Sequence, residues 1–176
     1  VGATNSSDVK GPISSFGKHV DVMAPGSSKT TAAFDSYQFS SQQYTSYASP
    51  MASGAAALVK SLNPGFTAEQ VREKVRVTAE NIDLLNSGYA GLLGKGRINL
   101  FRALTVNSPS IRYQQVTLSD ANNNIPESGD SMAIVISFKN FLNPTSACSV
   151  VMSSIDPNVV VSAATKNLGV INTLAT

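Results

Sequence analysis

Short apolar runs alternate with segments of helical periodicity over the first 104 residues of the chain. The segment "VDVMAPG", residues 20–26, is an apolar run closed by Pro and Gly, which predicts a buried strand that enters a loop. Residues 27–43 are rich in Ser, Thr and Gln, and we expect them to form a loop. Strands that alternate with helices in this way are typical of an α/β layer structure.

The first predicted helix follows this loop, in "YTSYASPMASGAAALVKSLNP", residues 44–64. It should end at Asn63, because Pro64 and Gly65 are stop signals. Its many small residues allow neighbouring elements to approach closely on nearly every side. We therefore expect a central helix that is packed all round.

A second helix is predicted to begin at Thr67, where "TAEQ" has the form of a capping box. Its apolar stripe consists of Val71, Val75 and Ile82, and its charged face consists of Glu69, Arg72, Glu73 and Arg76. Further along, "GKGRINLFRAL", residues 94–104, predicts a glycine-bounded turn that leads into a short helix. A phosphate-binding loop would need more glycines and a preceding strand.

After "TVNSPS" the apolar period changes to two, which predicts strands. The predicted strands lie in "SMAIVISFKNF", "ACSVVMSS" and "NVVVSAATKNLGVINTL", with "NNNIPESGD" and "FLNPTS" as turns between them. This pattern indicates an all-β module of about five strands. At roughly 68 residues it is shorter than the ~100 residues of a seven-stranded sandwich, so a truncated module is expected.

Composition narrows the choice of partners. The 176 residues are 42% hydrophobic and 14% charged, and the net charge of +2 comes from scattered basic residues. Nucleic acid and anionic membranes are therefore excluded as expected partners, and no apolar run reaches the roughly 20 residues of a membrane span. One cysteine, Cys148, and one histidine exclude an internal disulfide and an ordinary zinc site, and no cofactor is expected in this chain. Cys148 should face the core of the β module.

Candidate chemistry lies at the start of the first helix. A serine in a first helical turn sits where free backbone N–H groups and the positive end of the helix dipole converge. Such a serine can attack a carbonyl while the N–H groups stabilise the oxyanion that develops. The alternative interpretation is that Ser46 or Thr45 only caps the helix.

The segment "TSYASPMASGAAAL" resembles the nucleophile segment of the subtilisin-like serine proteases, the subtilases, whose usual form is Gly-Thr-Ser-x-Ala-x-Pro. Four further segments resemble the same family in the same order: "VGATNSSD", "ISSFGKHVDVMAPG", "LNPGFTAEQVREKV" and "GKGRINLFRAL". The resemblance implies that Ser46 is the nucleophile, that its own N–H is one oxyanion donor, and that Pro50 lies in the first turns of the helix. It also implies that residues 1–107 are the C-terminal portion of a subtilase catalytic domain, the downstream part of a three-layer domain with a parallel sheet.

Three departures from the family pattern are visible. Tyr44 stands where the family usually has glycine, and Met51, expected to be a packing residue, stands at a place often held by histidine. The resemblance places the catalytic Asp and His and the oxyanion Asn upstream of Val1. His19 is expected to be an exposed loop residue and only remotely a substitute base, and Asp21 is expected to bond locally or to help hold a cation. The chain alone is therefore expected to be inactive, with the upstream half of its own catalytic domain as a partner.

The segment "ESGDSMAIVISFKNFLNPTSACSVVMSSIDPNVVV", residues 127–161, is similar to the immunoglobulin-like β-sandwich modules that follow the catalytic domain in some secreted bacterial subtilases. The resemblance implies that residues 108–176 form such a module, truncated at its end. In "NNNIPESGD" a turn is favoured over calcium binding, and calcium in the full-length protein stays open. The resemblance implies a secreted or cell-surface, extracellular endopeptidase that acts on peptide or protein substrates, although no signal peptide is visible in the sequence. The alternative function is that of a non-catalytic pseudoprotease or interaction module which retains the scaffold.

Overall fold

The chain forms two compact units, Val1–Val106 and Asn107–Thr176. They are seen in a computed structural model, which describes residues 1–39, 42–120 and 125–176. The first unit mixes helices and strands, and the described residues of the second contain strands and no helix. Within the described ranges, no helix combines the length and the apolar character that crossing a membrane requires.

The first unit has four short strands and three α-helices. In chain order these elements are β1 (Gly2–Thr4), β2 (Met23–Pro25), β3 (Lys29–Ala32), β4 (Ser36–Phe39), α1 (Thr45–Leu62), α2 (Ala68–Val77) and α3 (Leu100–Thr105). Two 3₁₀ turns, Asp83–Leu85 and Ser87–Tyr89, lie between α2 and α3. The predicted mixture of strand and helix is thus confirmed, although the sheets are small.

A small parallel layer lies at the centre of this unit. β1 and β2 pair in parallel, and Met23 forms a further parallel bridge with Arg97. The Met23 N–H donates to the Gly96 carbonyl at 2.7 Å, and the Ile98 N–H donates to the Met23 carbonyl at 2.8 Å. β2 therefore lies between β1 and the segment that leads into α3.

Helix α1 ends at Leu62 with Asn63 as its C-cap, as the stop signals predict. The expectation that it is packed all round is wrong for this chain, because its fully buried residues are Ala48, Ala55 and Val59. Ala48 packs against β1 and β2, and the other two pack against α2 and α3. These neighbours cover one face, and other parts of the helix surface are left to solvent. Leu58 and Met51 are among the exposed residues, so Met51 is not the packing residue that the sequence predicts.

Helix α2 begins as predicted. The Thr67 hydroxyl accepts a bond from the Gln70 N–H at 3.2 Å, and the Gln70 side chain accepts one from the Thr67 N–H at 3.0 Å. Val71 and Val75 are buried against α1. Ile82 lies beyond the end of the helix and packs elsewhere, in a cluster with Met23 and Leu93.

The predicted charged face of α2 is only partly exposed. Glu69 and Arg72 face solvent, whereas Glu73 is buried and bonds the partly buried Arg76 at 2.6 Å. Lys74 is also buried, and its ammonium donates to the carbonyl of Val106 at 2.5 Å. Burial lowers the pKa of Lys74 from its ordinary value of 10.5, because desolvation disfavours the charged form.

Residues 27–43, which were expected to be a loop, contain an antiparallel hairpin instead. Its strands β3 and β4 pair from Lys29 with Phe39 to Ala32 with Ser36. The polar composition of the segment conceals the alternation on which a strand prediction depends, since Tyr37 and Phe39 are the only large apolar residues of the two strands.

The turn at residues 94–96 requires both of its glycines. Gly94 and Gly96 have φ of +64° and +100°, and a Cβ on either would lie 2.3 Å from the Asp21 carbonyl oxygen or 1.9 Å from that of Glu80. Each position therefore needs glycine for its backbone angle and for space. The tight-turn interpretation of this segment is confirmed.

The loop that follows β1 is held by a side chain from far along the sequence. The side-chain oxygen Oδ1 of Asn86 accepts the Lys10 N–H at 2.7 Å. The side-chain Nδ2 donates to the backbone carbonyls of Asp8 at 2.9 Å and Ile82 at 2.8 Å. The ammonium of Lys10 lies 4.8 Å from the centre of the Tyr89 ring. The start of the unit is thus tied to its 3₁₀ turns.

In the second unit the strands are β5 (Ile111–Ser119), β6 (Ala133–Asn140), β7 (Cys148–Val151) and β8 (Thr165–Gly169). β5 pairs with β6 and β7 pairs with β8, both antiparallel, as two separate two-stranded sheets. The described strands thus number four rather than about five, and the sandwich is not shown. In "NNNIPESGD", residues 122–124 lie outside the described residues, and the Glu127 N–H donates to Asp130 in a turn at 2.9 Å.

A buried asparagine organises the core of this unit. The side-chain oxygen of Asn140 accepts the N–H groups of Ser110 at 3.0 Å and Leu142 at 3.3 Å. Its amide donates to the carbonyls of Asn143 at 2.7 Å and Ile171 at 3.0 Å. Cys148 lies outside the core, contrary to expectation, because it is only half-buried.

Candidate active site

Ser46 is the second residue of α1, and it is exposed to solvent. This is the position that the sequence predicts. The N-cap residue is Tyr44, with φ −90° and ψ 139°, and no side chain caps the helix. The alternative that Ser46 or Thr45 serves as a cap is therefore wrong, and within the described ranges the Ser46 hydroxyl has no hydrogen-bond partner.

The first turn of α1 has unused backbone groups. The N–H groups of Tyr47 and Ala48 both donate to the Tyr44 carbonyl, at 3.1 and 3.3 Å. The N–H groups of Thr45 and Ser46 precede them and have no acceptor within the helix. Pro50 has no N–H to give the Ser46 carbonyl. The turn therefore offers a free donor beside a free hydroxyl, at the positive end of the helix dipole.

Backbone contacts at the end of the parallel layer hold this turn in place. The Tyr44 N–H donates to the Gly26 carbonyl at 2.9 Å, and the Gly26 N–H donates to the Thr4 carbonyl at 2.8 Å. A Cβ on Gly26 would lie 2.7 Å from the Cβ of Ala3 and 2.9 Å from the Cα of Gln43. β1, β2 and the start of α1 thus meet at a point where only glycine fits, beyond the carboxyl ends of the strands, where open α/β sheets place their sites.

Tyr44, the departure from the family pattern, is accommodated without backbone strain. Its φ of −90° lies in a region that any residue adopts, so no glycine is needed there. Its hydroxyl bonds the side chain of Gln42, and its ring lies 6.1 Å from the ring of Tyr47.

His19 and Asp21 lie away from Ser46. Exposed His19 precedes the amino end of β2, whereas Ser46 lies beyond the carboxyl end of that strand. A carboxylate oxygen of Asp21 accepts a bond from the Nη2 of Arg72 at 2.6 Å, in an ion pair between residues that are far apart in sequence. The part of the chain that the structure describes holds no group of three His, Cys, Asp or Glu side chains that could bind a metal.

A surface cleft of about 240 Å³ lies along the middle of α1 and does not include Ser46. The Arg72–Asp21 pair lines one side of the cleft. Small residues of α1 at helical spacing line the other side: Ser49, Ala52, Ser53 and Ala56. The cleft is therefore an uncovered flank of the helix, distinct from the first turn.

The chain is similar to a family of known proteins over most of its length. Residues 1–128 match a family described as the Subtilase family. Subtilisin DY of Bacillus licheniformis is 40% identical over 100 residues, 57% of this chain and 34% of its own length. Subtilisin NAT of Bacillus subtilis subsp. natto is 41% identical over 100 residues, covering 57% of this chain and 25% of its own length.

The overlap with these proteins is partial. The aligned part of the chain spans between a quarter and about a third of the length of these two curated relatives. A solved structure titled as proteases from Pseudoalteromonas arctica PAMC 21717 overlaps 58% of this chain and 34% of that chain, with 22% identity and a TM-score of 0.47.

Proposed function

Because the chain belongs to the subtilase family, whose match covers most of its length, we propose that it carries the nucleophile of a serine endopeptidase, Ser46. The observation that carries the proposal is the exposed, unbonded hydroxyl of Ser46 beside its own free N–H. A nucleophile needs an accessible oxygen, and the tetrahedral intermediate needs a donor for its oxyanion. The first turn of α1 supplies both.

The proposed reaction is the cleavage of a peptide bond in two steps. The Ser46 Oγ attacks the carbonyl carbon while its proton passes to a general base, and the carbonyl oxygen becomes an oxyanion that accepts the Ser46 N–H. Collapse of this intermediate breaks the C–N bond, protonates the leaving amine and leaves an acyl-enzyme, which water hydrolyses. The base, its acidic partner and a second oxyanion donor are proposed to come from the upstream half of the catalytic domain.

The uncovered flank of α1 supports the proposal that the upstream half of the catalytic domain packs against this chain. A helix whose small residues Ser49, Ala52, Ser53 and Ala56 line an open cleft is suited to the close approach of another element. Leu58 and Leu62, on another side of the same helix, are also exposed. The upstream half is proposed to pack in the cleft, which would help to complete the three-layer domain.

We also propose an extracellular setting, which suits the low charge of the chain. The two antiparallel sheets of residues 107–176 are compatible with an accessory β-sandwich. Calcium is proposed only for the full-length protein.

A fluorophosphonate probe, which forms a covalent bond with an activated serine, tests the proposal. We expect no labelling of this chain alone and labelling of Ser46 after the upstream half is supplied. Ser46→Ala should abolish that labelling, and Ser61→Ala, at the exposed far end of the same helix, should not. Failure to label the reconstituted protein would favour the non-catalytic scaffold. Labelling of the chain alone that depends on Ser46 would overturn the need for an upstream base.

A further inference from the structure

Lys10 is a buried cation with an unusual set of partners. The residue is 8% exposed, and its ammonium lies 5.3 Å from the centre of the Phe16 ring and 4.8 Å from that of Tyr89. These two rings meet edge to face, with their centres 4.8 Å apart. The ammonium also donates a hydrogen bond to the carbonyl oxygen of Gly11 at 2.9 Å. No carboxylate among the described residues forms an ion pair with it.

This arrangement is costly for a buried position. A buried charge destabilises the folded state unless it is paired, and two rings and one carbonyl replace only part of the water that the ammonium loses. Met, which is apolar and of similar length, would pack between the same rings without that cost. A local arrangement that lowers stability is typical of functional sites. The bond from the ammonium to Gly11 identifies Gly11 as the part of the molecule that this charge holds in place.

Gly11 is fixed by several other bonds. Its N–H donates to the carbonyl of Ala3 in β1 at 2.8 Å, and its carbonyl accepts the N–H of Ser14 at 3.0 Å. The N–H of the preceding residue, Lys10, is accepted by the Oδ1 of Asn86 at 2.7 Å. Gly11 is therefore tied at once to the parallel layer and to the segment between the two 3₁₀ turns.

Gly11 lies directly against the residue that precedes the N-cap of α1. A Cβ on Gly11 would lie 2.5 Å from the Cβ of Gln43 and 3.1 Å from its carbonyl oxygen. A Cβ on Gly26 would likewise lie 2.9 Å from the Cα of Gln43. Gln43 is thus in close contact with two glycines. Tyr44 follows it, and the bond from the Tyr44 N–H to the Gly26 carbonyl leads the chain into the helix.

We propose that Lys10 is a positioning residue for Ser46. Its ammonium fixes Gly11, Gly11 limits where Gln43 can lie, and Gln43 sets the direction in which the chain enters the first turn of α1. Ser46 is three residues beyond Gln43, so the placement of its Oγ and its N–H depends on that direction. The inference rests on the proposed function for the role of Ser46 as a nucleophile. Lys10 acts through these contacts and not on the substrate.

Lys10→Met tests the proposal, because Met keeps an apolar stem between the rings and removes the ammonium. In the complete protein, with the upstream half present, the rate of fluorophosphonate labelling is measured against probe concentration. The maximal rate of Ser46 labelling should fall roughly 10- to 100-fold, since a small misplacement of a reacting group costs that much. The half-saturating probe concentration should stay within about twofold of wild type, as for an interaction used only in the transition state. Lys10→Arg retains a cation and a donor and should keep most of the rate.

A role in stability alone predicts a different result. Because Lys10→Met removes a buried charge, its midpoint of urea denaturation should equal or exceed that of wild type while its labelling slows. Val71→Ala, in the core between α1 and α2, should lower that midpoint without slowing the labelling of folded protein. Lys95→Met, at an exposed lysine, should change neither. A labelling rate in Lys10→Met equal to that of wild type would overturn the inference, and so would an equal fall in Val71→Ala.

Gly11→Ala provides an independent variant, because its Cβ displaces Gln43 while Lys10 stays in place. It should slow labelling as Lys10→Met does, whereas Gly65→Ala, whose Cβ would meet nothing within 4 Å, should not. Normal labelling of folded Gly11→Ala would contradict the transmission of position through Gln43.

Nuclear magnetic resonance of this chain separates failure of the inference from failure of the proposed function. Lys10→Met should shift the amide resonances of Gln43 and Ser46 and speed exchange of the Tyr44 N–H, and Lys95→Met should not. These changes in a reconstituted protein that is never labelled would reject the catalytic function and retain the positioning of the turn. Labelling of Ser46 that is equally fast in Lys10→Met, with unchanged resonances, would reject the inference alone.

Discussion

The backbone N–H of Tyr44 donates to the carbonyl of Gly26 at 2.9 Å, and this bond ties the start of α1 to the end of β2. Ser46 lies two residues beyond it. The position of Ser46 thus depends on a main-chain contact between two elements rather than on its own side chain. Changes at Gly26 should therefore affect both the fold and the chemistry.

Gly26→Ala should destabilise the first unit by about 1–3 kcal/mol, because the added Cβ would overlap Ala3 and Gln43. Gly54→Ala is the matched control, since its Cβ would meet nothing within 4 Å in an exposed part of α1. That change should raise stability by roughly 0.5–1 kcal/mol. Urea denaturation of both variants provides the measurement, and equal stabilities would contradict the close packing at Gly26.

Because of Lys74, the stability of the first unit should vary with pH in the alkaline range. Its pKa is lowered in the folded protein, so between that value and 10.5 the unfolded state binds more protons than the folded state. Stability from this group therefore rises as the pH increases through that window, and the cost of burying the charge is fully present below it. Lys74→Met should lack this component. The free energy of unfolding of wild type and of Lys74→Met should be measured from pH 7 to pH 10.5. The difference between the two should change in favour of wild type as the pH rises. A constant difference would show that burial of Lys74 does not affect the pH dependence of stability.

Asn140→Ala should strongly destabilise the second unit. The change would leave buried N–H and carbonyl groups of the surrounding backbone without partners, at a cost of about 3 kcal/mol or more. Asn158→Ala changes an exposed asparagine whose side chain bonds the neighbouring Asp156, and it should cost less than about 0.5 kcal/mol. Hydrogen exchange of the β5 and β6 amides compares the two variants. Similar protection in both would refute the role of Asn140 as an organiser.

Limited proteolysis should cut first near the boundary between the two units. Residues 106–110 have no regular structure and follow α3 directly. Digestion with proteinase K, followed by mass spectrometry, should give two fragments that persist. Early cuts between Gly54 and Leu104 would show instead that the first unit opens before the connection does.

The features that the sequence predicts well are local. The capping box at Thr67, the helix stop after Leu62 and the tight turn at Gly94 and Gly96 each depend on a few adjacent residues, and all three are confirmed. The first-turn position of Ser46 is predicted for the same reason. Its role as a nucleophile remains a prediction, because chemistry requires partners that the described residues do not bring to it.

The errors concern burial and long-range contacts. A helix rich in small residues predicts close neighbours, but the sequence cannot tell whether those neighbours belong to the same chain, so the packing of α1 was overestimated. Glu73 and Arg76 look like a solvated face by spacing, yet they pair with each other in a partly buried site. The sequence does not predict the hairpin at residues 29–39, because its large apolar residues occur on one strand only.

The contacts of Asn86 set an order of events during synthesis. The loop after β1 cannot be secured until a residue made 76 positions later than Lys10 has emerged. At ribosomal rates of about 5–20 residues per second, that delay is roughly 4–15 s. During it the loop after β1 lacks its eventual anchor and is accessible to chaperones and proteases. A ribosome-bound chain arrested before residue 86 should therefore be cleaved within residues 5–17, and one released after residue 106 should resist.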